Sequence, residues 1–390
     1  MQVTEIQKAL RDFGLDGWLF YDHHVRDPLA YRILGFSAAR IPTRRWYYLI
    51  PATGEPLALV HRIEPNMLDA VPGVHAVYSS WQTQLDGLRT MLDGCRRVAM
   101  QYSANNAVPY VSMVDAGTVE LIRGLGVDVV TSADLIQLFE ARWTAHQLET
   151  HREAGRRVDA IRRAAFREVG ARLAGGHAVT EFDIKNFILQ AFERDGLFTD
   201  HGPIVGVNEN AANPHYEPTA DRHRAIQRGD VVLIDLWAKL ATDPDAVFYD
   251  ITWTGFTGDV PTDVNNVFSI VAGARDAAIA FVEQGAAAGT PMAGFQVDDA
   301  ARSHIAAAGY GEWFVHRTGH SIGRDVHGTG ANMDNLETHD ERSLIPGTCF
   351  SIEPGIYLDR FGIRSEVDMY VGEGQAFVTG EMQQELVRIL

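Results

Sequence analysis

A chain of 390 residues exceeds one ordinary domain and predicts two or three. With 34 basic against 51 acidic side chains, the formal charge of −17 excludes a broad basic face, so neither a nucleic acid nor a membrane is an expected partner. Apolar residues make up 46% and charged residues 22%, the mix of a folded globular chain. No apolar run reaches the roughly 18 residues of a membrane span. The N-terminal MQVTEIQKALRDFGLDG lacks a secretory pattern, so a cytoplasmic protein is expected. Cys95 and Cys349 lie far apart and offer neither a disulfide framework nor a CxxC metal site.

In chain order, Val3–Phe13 has helical apolar spacing, with Thr4 and Gln7 able to form a capping box. GWLFY (17–21), RWYYLI (45–50) and LALV (57–60) read as strands. Helical stretches near 64–71, 82–94 and 132–141 alternate with short strands at VHAVY, RVAMQ and VDVV. This alternation predicts a layered α/β domain, and no glycine-rich phosphate loop lies in it. From about 144 one long charged helical pattern, interrupted by Gly155, runs to Gly175 and Gly176. Thr180 then caps a second helix. Beyond 200 come paired strands, VVLIDLW (231–237) with AVFYDITWTGF (246–256) and CFSIEPGIY (349–357) with GIRSEVDMYV (362–371). Helices near 262–284 and 295–308 separate the pairs. The second part is therefore expected to be α+β, with domains at 1–143 and 144–390.

Four acids sit inside strands that otherwise read as buried: Asp235, Asp250, Glu353 and Glu366. A buried carboxylate is costly unless paired or metal-bound. The midpoint between Asp235 and Asp250 falls in ATDPD, a run of turn formers, and that between Glu353 and Glu366 falls just before Gly362. Two symmetric hairpins would set each acid opposite its mate, about 4.5–5.5 Å apart at Cβ, an arrangement that calls for a cation between them. HRTGHSIGRDVHG adds His316, His320 and His327, and NPHYEPT adds His215. Four carboxylates are balanced by two divalent ions and not by one. Oxygen-rich ligation with an imidazole suits Mn²⁺, and also Fe²⁺, Co²⁺ or Zn²⁺. Two such ions about 3.5–4 Å apart generate a bridging hydroxide nucleophile and polarise a carbonyl.

Asp235, Asp250, TGHSIG with His320, SIEPG with Glu353 and GIRSEVD with Glu366, in that order, resemble the metallopeptidase family of the "pita-bread" fold. That family includes methionine aminopeptidase, aminopeptidase P, prolidase and the metal-free creatinase. The resemblance covers roughly 150–390, and the preceding α/β domain looks like the N-terminal domain of creatinase, prolidase and aminopeptidase P. It implies Asp235, Asp250, His320, Glu353 and Glu366 as ligands of two metal ions, with Asp250 and Glu366 bridging. It implies His215, His316, His327 and Arg364 at the substrate, and Glu353 or a histidine handling the proton. Thr252 alternates onto the face of Asp250 and is a candidate hydrogen-bond donor to a ligand. The activity implied is hydrolysis of the amide bond before proline in dipeptides or short peptides, by a homodimer.

Some residues depart from the family pattern. Trp237 stands where a small residue is common, Trp253 where an arginine is common, and Gly328 where an acid is usual; the 238–248 loop is long. These departures motivate an alternative, a hydrolase or lyase acting on a small zwitterion at the same dimetal site. In the N-terminal domain, His23, His24, Arg26 and Asp27, with Arg40, Arg44 and Arg45, form two further candidate tracts. In related dimers such loops reach a partner's site, where an arginine can hold a substrate carboxylate.

Overall fold

The computed structural model describes residues 2–37 and 41–390. The chain forms two compact units, Met1–Glu140 and Ala141–Leu390. Among the described residues no helix is long and apolar enough to cross a membrane.

In the first unit, strands β1 (Gly17–Asp22), β2 (Trp46–Pro51), β3 (Leu57–His61), β4 (Val74–Tyr78), β5 (Arg97–Met100) and β6 (Asp128–Thr131) form one sheet in the order β4-β3-β2-β1-β5-β6. Pairing is antiparallel at β1–β2 and β2–β3 and parallel elsewhere. Every residue of β1 is buried: Trp18 and Phe20 enter one core, Leu19 and Tyr21 the other. Covering both faces explains why this strand reads as a continuous apolar run.

Two expectations fail here. The Thr4–Gln7 capping box does not form, because the helix Val3–Asp12 begins earlier and Gln7 donates instead to the carbonyls of Pro51 and Gly54. The stretch 64–71 is a series of turns, with Met67, Asp69 and Val71 each bonding three residues back. Pro65, without an N–H, does not extend a helical ladder from its N-terminal side.

The second unit has two halves. In one, the helix Ala145–Ala174, capped by Thr144 and Gln147, and the helix Glu181–Arg194, capped by Thr180 and Asp183, share a core with β7 (Leu197–Phe198), β8 (Ile204–Val207), β9 (Val231–Leu240) and β10 (Tyr249–Phe256). The long helix is continuous through Gly155. A Cβ there would lie 2.8 Å from the Tyr249 ring, so the glycine lets helix and strand approach closely. In the other half the helices Thr262–Ala288 and Gly294–Ala307 cover β12 (Cys349–Ile352), β13 (Gly355–Leu358), β14 (Phe361–Arg364), β15 (Val367–Gly372) and β16 (Gln375–Val378), and β11 (Ser321–Ile322) pairs with β12. A short strand β17 (Val387–Arg388) closes beside β10.

Candidate metal centre

The four acids come from the seam between these halves. In the β9–β10 hairpin Asp235 lies opposite Thr252, and Asp250 opposite Trp237. The expected direct opposition of Asp235 and Asp250 is therefore corrected. The register slips by two residues, which keeps both acids on one face because the side-chain period is two. In the second hairpin Ile352 pairs with Val367 and Gly355 with Arg364, so Glu353 and Glu366 do come opposite each other. Between those pairs the ladder opens. The Glu353 N–H donates to the Thr318 carbonyl at 2.7 Å, and the Glu366 N–H to the Thr252 carbonyl at 3.0 Å.

His320 is delivered by the glycine-flanked loop. A Cβ on Gly319 would collide with the Ser351 carbonyl, so this backbone approach requires glycine. The His320 Nδ1 faces the Ser321 carbonyl at 3.1 Å, which makes it the protonated nitrogen. Its Nε2 lone pair is left 3.6 Å from Asp250 Oδ2 and 3.4 Å from Glu353 Oε1. Burial holds this imidazole well below its ordinary value, hence neutral. A lone pair facing two carboxylate oxygens is repulsive unless a cation or a proton lies between them. Ligand atoms of Asp250, His320 and Glu366 lie within 4.8 Å of one another, and Asp250 Oδ1 is buried with no hydrogen-bond partner among the described residues. This donor set fits a metal ion.

Burial, strengthened by Asp235, pushes Asp250 well above the usual carboxylate range; burial and Asp250 do the same to Glu366. Burial pushes Glu353 up to about 7 against the opposing pull of Arg364, and raises Asp235 against the same pull. Thr252 donates to Glu366 Oε2 at 2.7 Å. Arg364 is buried among these groups. It donates to Asp235, to Thr252 Oγ1 at 3.0 Å and to the Tyr357 hydroxyl at 3.1 Å. That hydroxyl in turn donates to His316 Nε2 at 2.6 Å, since His316 Nδ1 is committed to the Arg317 carbonyl. Burial lowers His316 to about 3 and raises Tyr357 to about 12, which fixes both as neutral. His327 sets its ring edge-on to that of His320, centroids 4.3 Å apart. His215 is exposed, within electrostatic reach of Asp235 and His327.

Several supporting residues escaped sequence reasoning. Glu181, fully buried, accepts from the Val207 and Arg224 N–H groups, Asn210 and the Tyr216 hydroxyl, and so fastens the loop that carries His215. Asp298 accepts from Thr318, and Asp368 from the Asp250 N–H at 2.8 Å. Tyr357 had a signal, being seven residues before Arg364 across a tight hairpin; Glu181, on a helix, had none.

Trp253 lies on the far face of β10, stacked on the Arg162 guanidinium 3.4 Å from its ring centre. Its odd offset from Asp250 already carried that information, and it gives the alternative chemistry no support. Residues 246–248 of the long loop are buried; Phe248 N–H donates to Gly323, and Arg324 to Asp245. This loop braces the histidine loop from behind. In the first unit, His23, Arg26, Arg44 and Arg45 line a cleft of about 630 Å³ together with His61 and Trp81. His24 is exposed, Asp27 caps the helix Pro28–Leu34, and Arg40 lies outside the described residues.

The family model for metallopeptidase family M24 matches residues 149–373. The chain is 29% identical over 344 residues to the "probable dipeptidase PepE" of Mycobacterium tuberculosis, covering 87% of this chain and 84% of that one. It is 30% identical over 232 residues to an "Xaa-Pro dipeptidase" of Lactobacillus delbrueckii subsp. lactis, covering 59% and 56%. The crystal structure of dipeptidase PepE from Mycobacterium ulcerans matches with a TM-score of 0.73 at 26% identity, covering 100% of this chain and 97% of that one.

Proposed function

Because the chain belongs to metallopeptidase family M24 and has its pita-bread fold, we propose that it hydrolyses dipeptides or short peptides at the bond before proline, using two divalent cations. The observation that carries this reading is the convergence of Asp235, Asp250, His320, Glu353 and Glu366 at one buried seam, with a histidine lone pair aimed at carboxylates. Four carboxylates and the Arg364 guanidinium leave three negative charges. One divalent ion leaves one of them unbalanced, whereas two overshoot by one, which a substrate carboxylate or an ionised water offsets. Oxygen-rich ligation favours Mn²⁺, with Fe²⁺, Co²⁺ and Zn²⁺ as alternatives. When bound, such ions supply an activated water and polarise the scissile carbonyl.

The chain's own residues do the rest. Glu353 would take the proton of the attacking water and return it to the leaving nitrogen. His327 and His215 are placed to hold substrate oxygens, and His316, engaged by the Arg317 carbonyl and the Tyr357 hydroxyl, holds that hydroxyl in place. Arg364 orients Asp235 and Tyr357 and keeps the acid cluster together. The preference for proline is supported by the Lactobacillus relative, an Xaa-Pro dipeptidase, and by the histidines of the site.

The test is to load the purified protein with Mn²⁺ and follow Gly-Pro, Ala-Pro, Ala-Ala and Ala-Pro-Ala by mass spectrometry beside a chelated control. Metal-dependent cleavage before proline, at two ions per chain, is expected. Equal cleavage of Ala-Ala would remove the proline preference, and full activity in the chelated control would remove the metal mechanism.

A further inference from the structure

The sheet carries a row of side chains next to the acid cluster that the metal mechanism does not use. Trp237 follows Asp235 by two residues on β9, so both sit on one face, and its cross-strand partner on β10 is Asp250. On the other edge of β9, Leu197 pairs with Leu240 and Phe198 with Lys239. Continuing that register brings Asp200 opposite Trp237. The contact is made: Trp237 Nε1 donates to Asp200 Oδ1 at 2.8 Å. Asp200, Trp237 and Asp250 thus cross the sheet in one line, from solvent to the buried acids.

The chemistry of this line is unlike that of the cluster. Asp200 is 38% exposed at its side chain, and its other oxygen meets only the exposed His201 Nδ1, at 3.4 Å. No lysine or arginine pairs with it among the described residues. An indole N–H is a donor only, so it holds the carboxylate in place and leaves its charge uncompensated. Trp237 is half-buried, its ring against Ile204, Ala211 and Leu233 on one side and Phe248 and Ile322 on another. Asp200 also lies within electrostatic reach of His327.

We propose that Asp200 and Trp237 form the subsite for the first residue of the substrate: Asp200 binds its free α-ammonium group, and the indole walls its side chain. A fixed carboxylate makes a charge-assisted bond to an ammonium group, and the indole face adds a cation–π attraction. The substrates selected are unblocked dipeptides with a small first residue. This inference rests on the peptidase reading above and deepens it.

The test compares Ala-Pro, N-acetyl-Ala-Pro and Phe-Pro as substrates of the Mn²⁺-loaded protein and of Asp200→Asn, Trp237→Phe and Trp237→Ala. Metal content, circular dichroism and Tm are matched first. Asp200→Asn is expected to raise KM for Ala-Pro about tenfold or more with kcat little changed, and to shrink the preference for the free amine by a similar factor. Trp237→Phe keeps the wall and loses the N–H, and is expected to show a smaller rise in KM. Trp237→Ala is expected to improve Phe-Pro relative to Ala-Pro. If the wild type cleaves Ala-Pro while folded, metal-loaded Asp200→Asn keeps its KM and its preference for the free amine, the subsite is overturned and the peptidase reading stands. If the wild type cleaves neither free dipeptide, both fall.

Discussion

From Tyr249 to Phe256 the first acid-bearing hairpin pairs with β9 without a gap, whereas the second opens its ladder at both of its acids. Each faces the same electrostatic problem, two carboxylates on one face of paired strands. The first avoids opposition by a two-residue offset, so that Asp235 meets a threonine hydroxyl and the Arg364 guanidinium. The second keeps Glu353 and Glu366 opposite each other, but their N–H groups turn outward, to Thr318 and Thr252. The second solution gives up ladder bonds, and neighbouring backbone restores them. The offset hairpin supplies a rigid floor, while the opened one joins three segments of chain at a single point.

The largest losses are expected at the acids of the two hairpins. Glu366→Ala or Asp250→Ala is expected to lower kcat/KM by about 10³-fold or more, with metal lost in elemental analysis. Retained metal and activity would contradict the assigned ligands.

Thr252 serves both hairpins, through its hydroxyl to Glu366 and its carbonyl to the Glu366 N–H. Thr252→Val is expected to cost roughly 10- to 100-fold in metal affinity or activity, whereas Ser351→Ala, whose hydroxyl donates to Glu353 and accepts from the His320 N–H but touches neither acid of the first hairpin, should cost less. Titration of both variants with Mn²⁺ ranks them, and the reverse order would overturn the shared role.

Gly319→Ala pushes a methyl group into the Ser351 carbonyl, a backbone atom without room to yield. A loss of about 3 kcal/mol, seen as a Tm lower by roughly 5 °C or more, is expected.

In the metal-free protein Asp250, Glu366 and Glu353 have raised values, Glu353 to about 7. Folding then binds protons that the unfolded chain releases above about pH 4, so this stability is present at low pH and is lost as pH rises through about 7. The buried neutral histidines add stability as pH rises to about 6.5, so the Tm of chelated protein should fall by a few degrees only above that range, between about pH 7 and 9, and Mn²⁺ should abolish the slope. A rising Tm would refute the cluster's repulsion. Smallest of all, Trp253→Phe should leave kcat/KM within about twofold, since that side chain lies on the far face of β10.

Much of the centre was legible because an acid inside an apolar strand is conspicuous in one dimension. Asp235 in VVLIDLW and Glu353 in CFSIEPG stand out against runs that β-structure buries. The helix capped by Thr180 was legible for a similar local reason, a hydroxyl three residues before its partner. The turns at 64–71 were misread because Leu68 and Val71 repeat at helical spacing while Pro65 interrupts the backbone bonds that spacing assumes.

What the sequence determined by itself is therefore the inventory: two units, their alternating patterns, and the five side chains suited to a cation, each set by chemistry local to its strand or loop. Only the tertiary structure decided the offset of Asp235 against Asp250, the burial of Arg364 among acids, the Tyr357 link to His316, and the line from Asp200 through Trp237. Those depend on register and on distant segments meeting, and register is chosen by the summed packing of whole strands rather than by any residue in them.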